Sequence, residues 1–311
     1  MTSEEFEFLL FDRIEKIKQI NEEYDLEHNA YISFSGGGDS TILHYLVDLA
    51  LPNNKIPRLF INTGIEYNDI VEYVKELAKT DDRIIVYNSG INIKQMLEKY
   101  GYPFKSKVFA ENVMRYQKNN IKTESLRQFL REVTTKEGIM RSGAFACPDK
   151  LKYMFEPDFN IKISNLCCSK LKKETSKKWM SINNIPITLT GMRAEEGGNR
   201  LDLTCITDNG KKIHFLAPLK KDFTQHFLKH FNIKLCKLYY PPFNLERTGC
   251  KGCPFNRYLQ RDLDMMRELL PKEYKQCEAI WKPVYDEYRR IGYRLRKDTG
   301  QLSIFDFIES E

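Results

Sequence analysis

The chain has 311 residues, of which 41% are hydrophobic and 30% charged, with a formal net charge of +6. That is enough apolar residue for a real core, in one large domain or a core domain with appendages, and it argues for a soluble protein. No run approaches the roughly 18 apolar residues that a membrane span needs, and the N-terminus MTSEEFEFLL lacks the basic region of a signal peptide, so a cytoplasmic location is expected.

In chain order, EEFEFLLFDRIEKIKQINEEY (4–24) has helical periodicity. YISFS (31–35) reads as a strand, SGGGDS as a turn and TILHYLVDLAL (41–51) as the next helix. IPRLFINTG (56–64) is a second strand ending in a Gly turn, YNDIVEYVKELAK (67–79) a helix and RIIVYNS (83–89) a third strand. This alternation predicts a parallel sheet with crossover helices. From Gly101 to about Asn160 the chain is polar and helical, which predicts an insertion. A lysine-rich helix (169–182) and a fourth strand, IPITLTG (185–191), come next. TCITD and KIHFLAPL read as a hairpin or two short strands, DFTQHFLKHF as a short amphipathic helix, and 257–293 as helical. The expected division is a core of 1–100 and 161–256, a helical insertion at 101–160, and a helical C-terminal extension with a tail at 257–311.

Two segments concentrate positive charge. Residues 161–180 carry six lysines and one acid, and YRRIGYRLRK (288–297) is basic and aromatic together. Each is either a solvated face or a surface for a polyanion such as nucleotide phosphates or a nucleic-acid backbone.

SGGGDS lies between the first sheet strand and its helix, where ligands of open parallel sheets bind. Consecutive N–H groups in such a turn form an anion nest, the helix N-terminus adds partial positive charge, and Ser35 and Ser40 can donate hydroxyl hydrogen bonds. A phosphate is the natural guest. No Lys precedes Ser40, which excludes the G-x-x-x-x-G-K-[ST] loop, and Asp39 and Ser40 do not fit G-x-G-x-x-G. The remaining pattern, S-G-G-x-D-S, resembles the PP-loop of the ATP pyrophosphatases, which split ATP between its α and β phosphates. FINTGIEYNDIVEYV (60–74), TGMRAEEGGNR (190–200), LCCSKLKK (166–173) and ERTGCKGCPF (246–255) resemble, in order, segments of the phosphoadenosine phosphosulfate (PAPS) reductase family across roughly residues 30–260.

The resemblance implies an α/β fold of the adenine nucleotide alpha-hydrolase-like, Rossmann-like type, a parallel sheet sandwiched by helices. It implies that Ser35, Gly36, Gly37, Gly38, Asp39 and Ser40 cradle the phosphates of ATP or a related adenine nucleotide, and that Thr63 and Gly64 lie near the nucleoside. Arg193 and Arg200 would hold an anionic group, for which the guanidinium fork is suited; the alternative for each is an ion pair with Glu195 or Glu196. Asp39, Arg193 and Arg200 are the candidate catalytic residues. Asn62 replaces the family's frequent Asp, which bears on a Mg2+ ion, and Gly38 replaces the Lys of some relatives, removing one cation at the phosphates.

Eight cysteines in a chain read as cytoplasmic are not a disulfide framework. Cys167 and Cys168 are adjacent, and Cys250 and Cys253 form a C-x-x-C. Thiolates hold iron–sulfur clusters or zinc, and an adjacent pair is awkward for structural zinc. The CC…CxxC layout resembles the 4Fe–4S adenylylsulfate reductases, so a 4Fe–4S cluster, zinc and no metal are the three readings. Lys172 follows the pair and adds charge there or faces solvent. Cys147, Cys205, Cys236 and Cys277 have no partner pattern and read as buried thiols.

The sulfonucleotide reductases carry a nucleophilic Cys in a short C-terminal segment, whereas the last Cys here is Cys277, in YKQCEAIW. The leading expectation is therefore an enzyme that adenylates an acceptor, releases pyrophosphate and couples this to sulfur transfer or redox chemistry. Relatives with this layout act on nucleic acid, and a sulfur donor or reductant protein is an implied partner. One alternative is a PAPS or adenylylsulfate reductase using Cys277 or a partner's thiol. Another is a non-catalytic nucleotide-binding protein recruited to DNA. The tail pentapeptide QLSIF, Gln301–Phe305, resembles the peptide that binds the bacterial sliding clamp; the bland reading is a tail docked on its own core.

Overall fold

The computed structural model describes residues 1–133, 138, 146–197 and 200–297. Its elements run α1 (Ser3–Tyr24), α2 (Leu26–Asn29), β1 (Ala30–Ser33), α3 (Gly38–Ala50), β2 (Arg58–Asn62), α4 (Asn68–Thr80), β3 (Ile84–Asn88), α5 (Ile93–Tyr100), α6 (Lys107–Asn119) and α7 (Glu124–Leu130). After a 3-10 stretch at Asp149–Phe155 and a π turn at Ser169–Lys173 come α8 (Glu174–Asn183), β4 (Ile187–Leu189), β5 (Ile206–Thr207), β6 (Lys212–Ile213), α9 (Lys221–His230), α10 (Leu259–Leu269) and α11 (Pro271–Ile291). The tail pentapeptide at 301–305 lies outside the described residues.

The chain forms two compact units: Met1–Gly90 with Leu171–Cys250, and Ile91–Lys170 with Lys251–Glu311. The first unit contains the sheet, ordered β3-β2-β1-β4-β6-β5. It is parallel from β3 to β6, with only β5 antiparallel to β6. This is the expected α/β fold, a mostly parallel sheet flanked by helices. From β1 the chain steps outward through β2 and β3, then returns to place β4 on the other side of β1. The order therefore reverses between β1 and β4, and the crevice beyond their carboxyl ends is where such sheets bind ligands.

Apolar periodicity explains the packing. Ile42, Leu43, Leu46 and Val47 of α3 are buried, as are Ala30, Tyr31 and Ile32 of β1, each large side chain contributing about 1.5–3 kcal/mol of transfer free energy. On the other face of β1, Tyr31 and Leu59 pack against Trp179 of α8, with ring centroids of Tyr31 and Trp179 5.4 Å apart. Leu171, Thr175 and Trp179 form the buried stripe of the lysine-rich segment, and Lys173, Lys177 and Lys178 take its solvent face.

In the second unit, α11 buries Cys277, Trp281, Tyr285 and Tyr288 as one stripe. The basic, aromatic stretch after it is structural: Arg289 pairs with Glu278, Arg290 with Glu287 and Arg296 with Asp264. Strand boundaries are shorter than expected. β6 stops at Ile213 because the chain turns there, with the Ala217 N–H donating to the His214 carbonyl, and Pro218 has no N–H for a ladder.

Candidate functional site

The glycine loop starts where β1 ends, and α3 begins at Gly38, earlier than the apolar pattern suggested. The three glycines serve different needs. Gly36 has φ +69°, and a Cβ there would meet Val74 Cγ2 at 2.8 Å. At Gly37 a Cβ would crowd Ser35 Oγ and the Tyr239 hydroxyl, both at 3.2 Å. Gly38 has only an ordinary 3.5 Å contact with Leu235, so its lack of a side chain is not a steric demand.

The Ser35 and Ser40 hydroxyls close the loop on itself. The Ser40 hydroxyl donates to the Gly37 carbonyl at 2.9 Å and accepts from the Ser35 N–H at 3.2 Å, and the two hydroxyl oxygens lie 3.0 Å apart. The first N–H groups of α3, at Gly38, Asp39 and Ser40, have no partner from within the helix. That of Gly38 donates to the Tyr239 hydroxyl at 3.3 Å, which sits 2.7 Å from Thr248 Oγ1.

From the other side of the crevice, β4 delivers Gly191 and Arg193. Gly191 packs directly on the first turn of α3: a Cβ there would lie 2.7 Å from the Asp39 carbonyl oxygen. Arg193, nearly buried, donates from Nε to Asp39 Oδ1 at 3.0 Å and from Nη1 to Glu195 at 2.7 Å. Burial pushes the Asp39 carboxyl above its ordinary value, and the neighbouring Arg193 only partly offsets this. The result is a cleft of about 300 Å3 whose walls include Ser35, Gly37, Asp39, Arg193, Tyr239 and Arg247. Lys221 and Glu246 also reach it, and Glu195 and Glu196 pair with Arg193 and Arg247, so both arginines here are held by carboxylates that an anion would have to displace.

Arg200 does not line this cleft. It pairs with Glu196, which also takes Arg247 at 2.8 Å. Of the two arginines singled out from sequence, Arg193 meets the loop and Arg200 makes the anticipated ion pair. The sequence reading missed Lys221, Tyr239, Arg247 and Thr248. For Arg247 and Thr248 the signal was present, since both lie within the ERTGCKGCPF segment itself.

Thr63 and Gly64 stand outside the loop cleft. The Glu66 carboxylate accepts from the Thr63 N–H at 2.8 Å and from its hydroxyl at 3.0 Å, and it pairs with Lys172 Nζ at 3.0 Å. Burial would raise the Glu66 carboxyl, but Lys172 and Thr63 together hold it below the ordinary value. Its backbone also forms an antiparallel bridge with Cys250. Glu66 thus ties the end of β2 to the segment after the cysteine pair and to the first cysteine of C-x-x-C. Asn62, where the family has Asp, caps locally: its Oδ1 accepts from the Gly64 N–H at 3.1 Å and its Nδ2 donates to Asn88.

In the second unit, the sulfurs of Cys167 and Cys168 are 4.0 Å apart. The Lys251-Gly252-Cys253-Pro254 stretch is clamped on α11. Trp281 Nε1 donates to the Lys251 carbonyl, Tyr285 to that of Gly252 and Tyr288 to that of Pro254. Gly252 has φ +59°, and a Cβ there would lie 2.5 Å from the Tyr285 hydroxyl and 2.8 Å from Cys277 Sγ. Buried Lys251 donates to Gln276 at 2.8 Å. Cys167, Cys168, Cys250 and Cys253 all carry free thiols, the donor type that ligates iron–sulfur clusters.

Cys147, Cys236 and Cys277 are buried, while Cys205 is partly exposed. Cys277 has no solvent access, and burial pushes its thiol up to about 12, which leaves almost no thiolate to act as a nucleophile. His44, Asp48 and Asp81 also cluster, but Arg58 Nε donates to His44 Nδ1 and Arg58 and Arg83 both pair with Asp48. The neutral imidazole therefore carries its proton on Nε2, and the group is a salt-bridge network rather than a metal site. Among the described residues no helix is long and apolar enough to cross a membrane.

The chain is 32% identical over 154 residues to Uncharacterized protein MJ0973 of Methanocaldococcus jannaschii, a match covering 46% of this chain and 35% of that one. The chain thus spans about a third of that relative's length. Among solved structures it is similar to a PAPS reductase from Candida auris in a phosphate complex, with TM-score 0.41 and 12% identity over 76% of this chain and 91% of that one. It is also similar to the U34-tRNA thiolase NcsA from Methanococcus maripaludis with its [4Fe-4S] cluster, with TM-score 0.35 and 12% identity over 94% and 84%. Residues 29–144, which include the glycine loop, match the phosphoadenosine phosphosulfate reductase domain.

Proposed function

We propose that the first unit binds ATP or a related adenine nucleotide at the glycine loop and transfers its adenylyl group to an acceptor oxygen with release of pyrophosphate. The observation that supports this is the meeting of the α3 N-terminus with Arg193 at the switch point of the sheet, in a cleft that the glycine loop lines. In the reaction the acceptor oxygen bonds to the α-phosphorus, the bond from that phosphorus to the bridging oxygen breaks, and pyrophosphate leaves with the electron pair. The acceptor's proton passes to solvent. No side-chain nucleophile is required; positioning and charge stabilisation supply the rate.

Each residue has a task in this scheme. The N–H groups of Gly38, Asp39 and Ser40 hold phosphate oxygens. Two of the five N–H donors of Arg193 are engaged by Asp39 and Glu195. An entering phosphate competes with Asp39 for this fork, and the Asp39 carboxylate would hold a magnesium ion, which when bound would offset phosphate charge. Arg247 and Lys221 supply the charge that Gly38 lacks, and Arg200 orders Glu196 behind them. Thr63 and Gly64, at the end of β2, are held by Glu66 and Asn62 outside the loop cleft and would meet the nucleoside only where it extends beyond that cleft.

Cys167, Cys168, Cys250 and Cys253 would hold a 4Fe–4S cluster, which when bound supplies redox or sulfur-ligating chemistry. A sulfonucleotide reductase that used Cys277 is disfavoured by its burial. Isothermal titration with ATP tests the nucleotide site, and iron and acid-labile sulfide analysis after anaerobic purification tests the cysteines. Micromolar ATP binding with about four irons per chain is the expected result; no ATP binding, or a colourless zinc protein, refutes the corresponding half.

A further inference from the structure

The second unit holds a cleft of about 690 Å3, lined entirely by residues between Lys99 and Leu166. It lies within the size range of ligand sites. Its floor is built rigidly. Gly101 adopts φ +99°, and a Cβ there would strike the backbone of Lys162–Ser164 at 3.0–3.1 Å. The Tyr102 N–H donates to the Lys162 carbonyl, and the Ser164 N–H to that of Tyr102. The Gln117 amide spans the same segment, donating to the Ile161 carbonyl at 2.8 Å and accepting from the Ile163 N–H at 3.0 Å.

On this floor stand aromatic walls and a cationic rim. Tyr100 and Phe159 are each half-buried. Lys99, Lys118 and Lys162 line the cleft and are exposed, against one carboxylate, Glu156, which Lys122 already holds at 3.0 Å. Lys99 and Lys170 place their ammonium groups 5.3 and 4.7 Å from the Tyr100 ring centroid. Ring faces between lysines match a nucleotide unit, an aromatic base joined to a phosphate. An acidic peptide would use the lysines and leave the rings without a role.

We propose that this cleft binds an unpaired stretch of a nucleic-acid strand, with a base against Tyr100 and Phe159 and successive phosphates on Lys99, Lys118 and Lys162. Exposed lysines spread along a rim suit a repeating backbone, whereas capture of one small phosphate favours a converging, buried nest. Binding here needs no turnover at the glycine loop, so the inference stands if the adenylation reading fails.

The test is fluorescence anisotropy of the full chain with a labelled mixed-sequence single strand, with a non-hydrolysable ATP analogue saturating the loop. The strand should bind, and more weakly as salt rises from about 50 to 200 mM. Lys118→Glu should weaken binding and lower the salt slope by about one. Tyr100→Ala should cost about 5- to 100-fold, and Tyr100→Phe, which keeps the ring, should restore most of it. Lys75→Glu, an equal charge change on α4, should alter affinity less than twofold, and thermal midpoints confirm that each variant folds. Tyr100→Ala and Lys118→Glu binding as the wild type does would overturn the proposal. So would AMP, the duplex of the same sequence, or polyglutamate binding as tightly as the single strand.

Discussion

Gly191→Ala is the sharpest probe of how the site is assembled. The added methyl carbon would sit 2.7 Å from the Asp39 carbonyl oxygen, 2.8 Å from its carbon and 3.1 Å from the Ser40 nitrogen. The nearest is about 0.7 Å short of the closest ordinary contact. All three atoms are backbone in the first turn of a helix packed on the core, so no side chain can rotate away. Either α3 or the chain leaving β4 must shift, at about 1–3 kcal/mol for an overpacked position. Arg193 lies two residues on, so the shift also moves its guanidinium away from the α3 N-terminus that it now meets and should lower ATP affinity by about tenfold, the equivalent of 1.4 kcal/mol. Gly38→Ala is the control. Its methyl has only a 3.5 Å contact with Leu235, and alanine is the better helix former, so stability should hold or rise by up to about 1 kcal/mol. Urea midpoints by circular dichroism and titration calorimetry with ATP read both outcomes. A Gly191→Ala protein with wild-type stability and affinity, or a Gly38→Ala protein equally damaged, would refute this packing account.

Further outcomes follow from the buried charges and the cysteine loop. Glu66→Gln should destabilise the protein by about 1–3 kcal/mol at neutral pH, because Lys172 loses its charged partner. The Glu66 carboxyl is held below its ordinary value when folded, so its contribution is present above the unfolded value and fades as pH falls through the folded one; the acid limb of urea midpoints against pH should flatten in the variant. Burial, with Arg58 beside it, lowers His44 from 6.5 to about 4. The unfolded chain therefore takes a proton that the native state refuses, and stability falls as pH drops from about 6.5 to 4, by roughly 2–4 kcal/mol. His44→Asn, which keeps an acceptor for Arg58, should remove that slope in the same measurement. Gly252→Ala would drive a methyl into Tyr285 and Cys277 and should cut the iron retained on anaerobic purification well below wild type, read by metal analysis.

The order of elements was legible because apolar period and glycine punctuation agree: the run ending at Ser35, the loop and the helix after it all appear in the structure. The boundaries were less so. Asp39 and Ser40 look like loop residues in sequence but belong to the first turn of α3, where their N–H groups rather than their apolar character matter. Arg193 could be singled out because it follows a strand and a glycine. Tyr239 could not, since it reaches the cleft from a segment far along the chain with no motif or period of its own, and Arg247 and Lys221 lie in segments whose placement at the cleft only the fold reveals. The mutual contact of Ser35 and Ser40 was also hidden, since spacing along the chain does not report that the two hydroxyls meet across the loop. Cys277 shows the reverse case, since its reactivity depends on burial, which spacing does not report.

The central claim is that the loop activates an adenine nucleotide by cleavage between the α and β phosphates. Product analysis of labelled ATP incubated with the full chain tests it most directly. The account predicts AMP or an adenylylated acceptor together with pyrophosphate, lost on Asp39→Ala; ADP with inorganic phosphate, or turnover indifferent to that substitution, would contradict it.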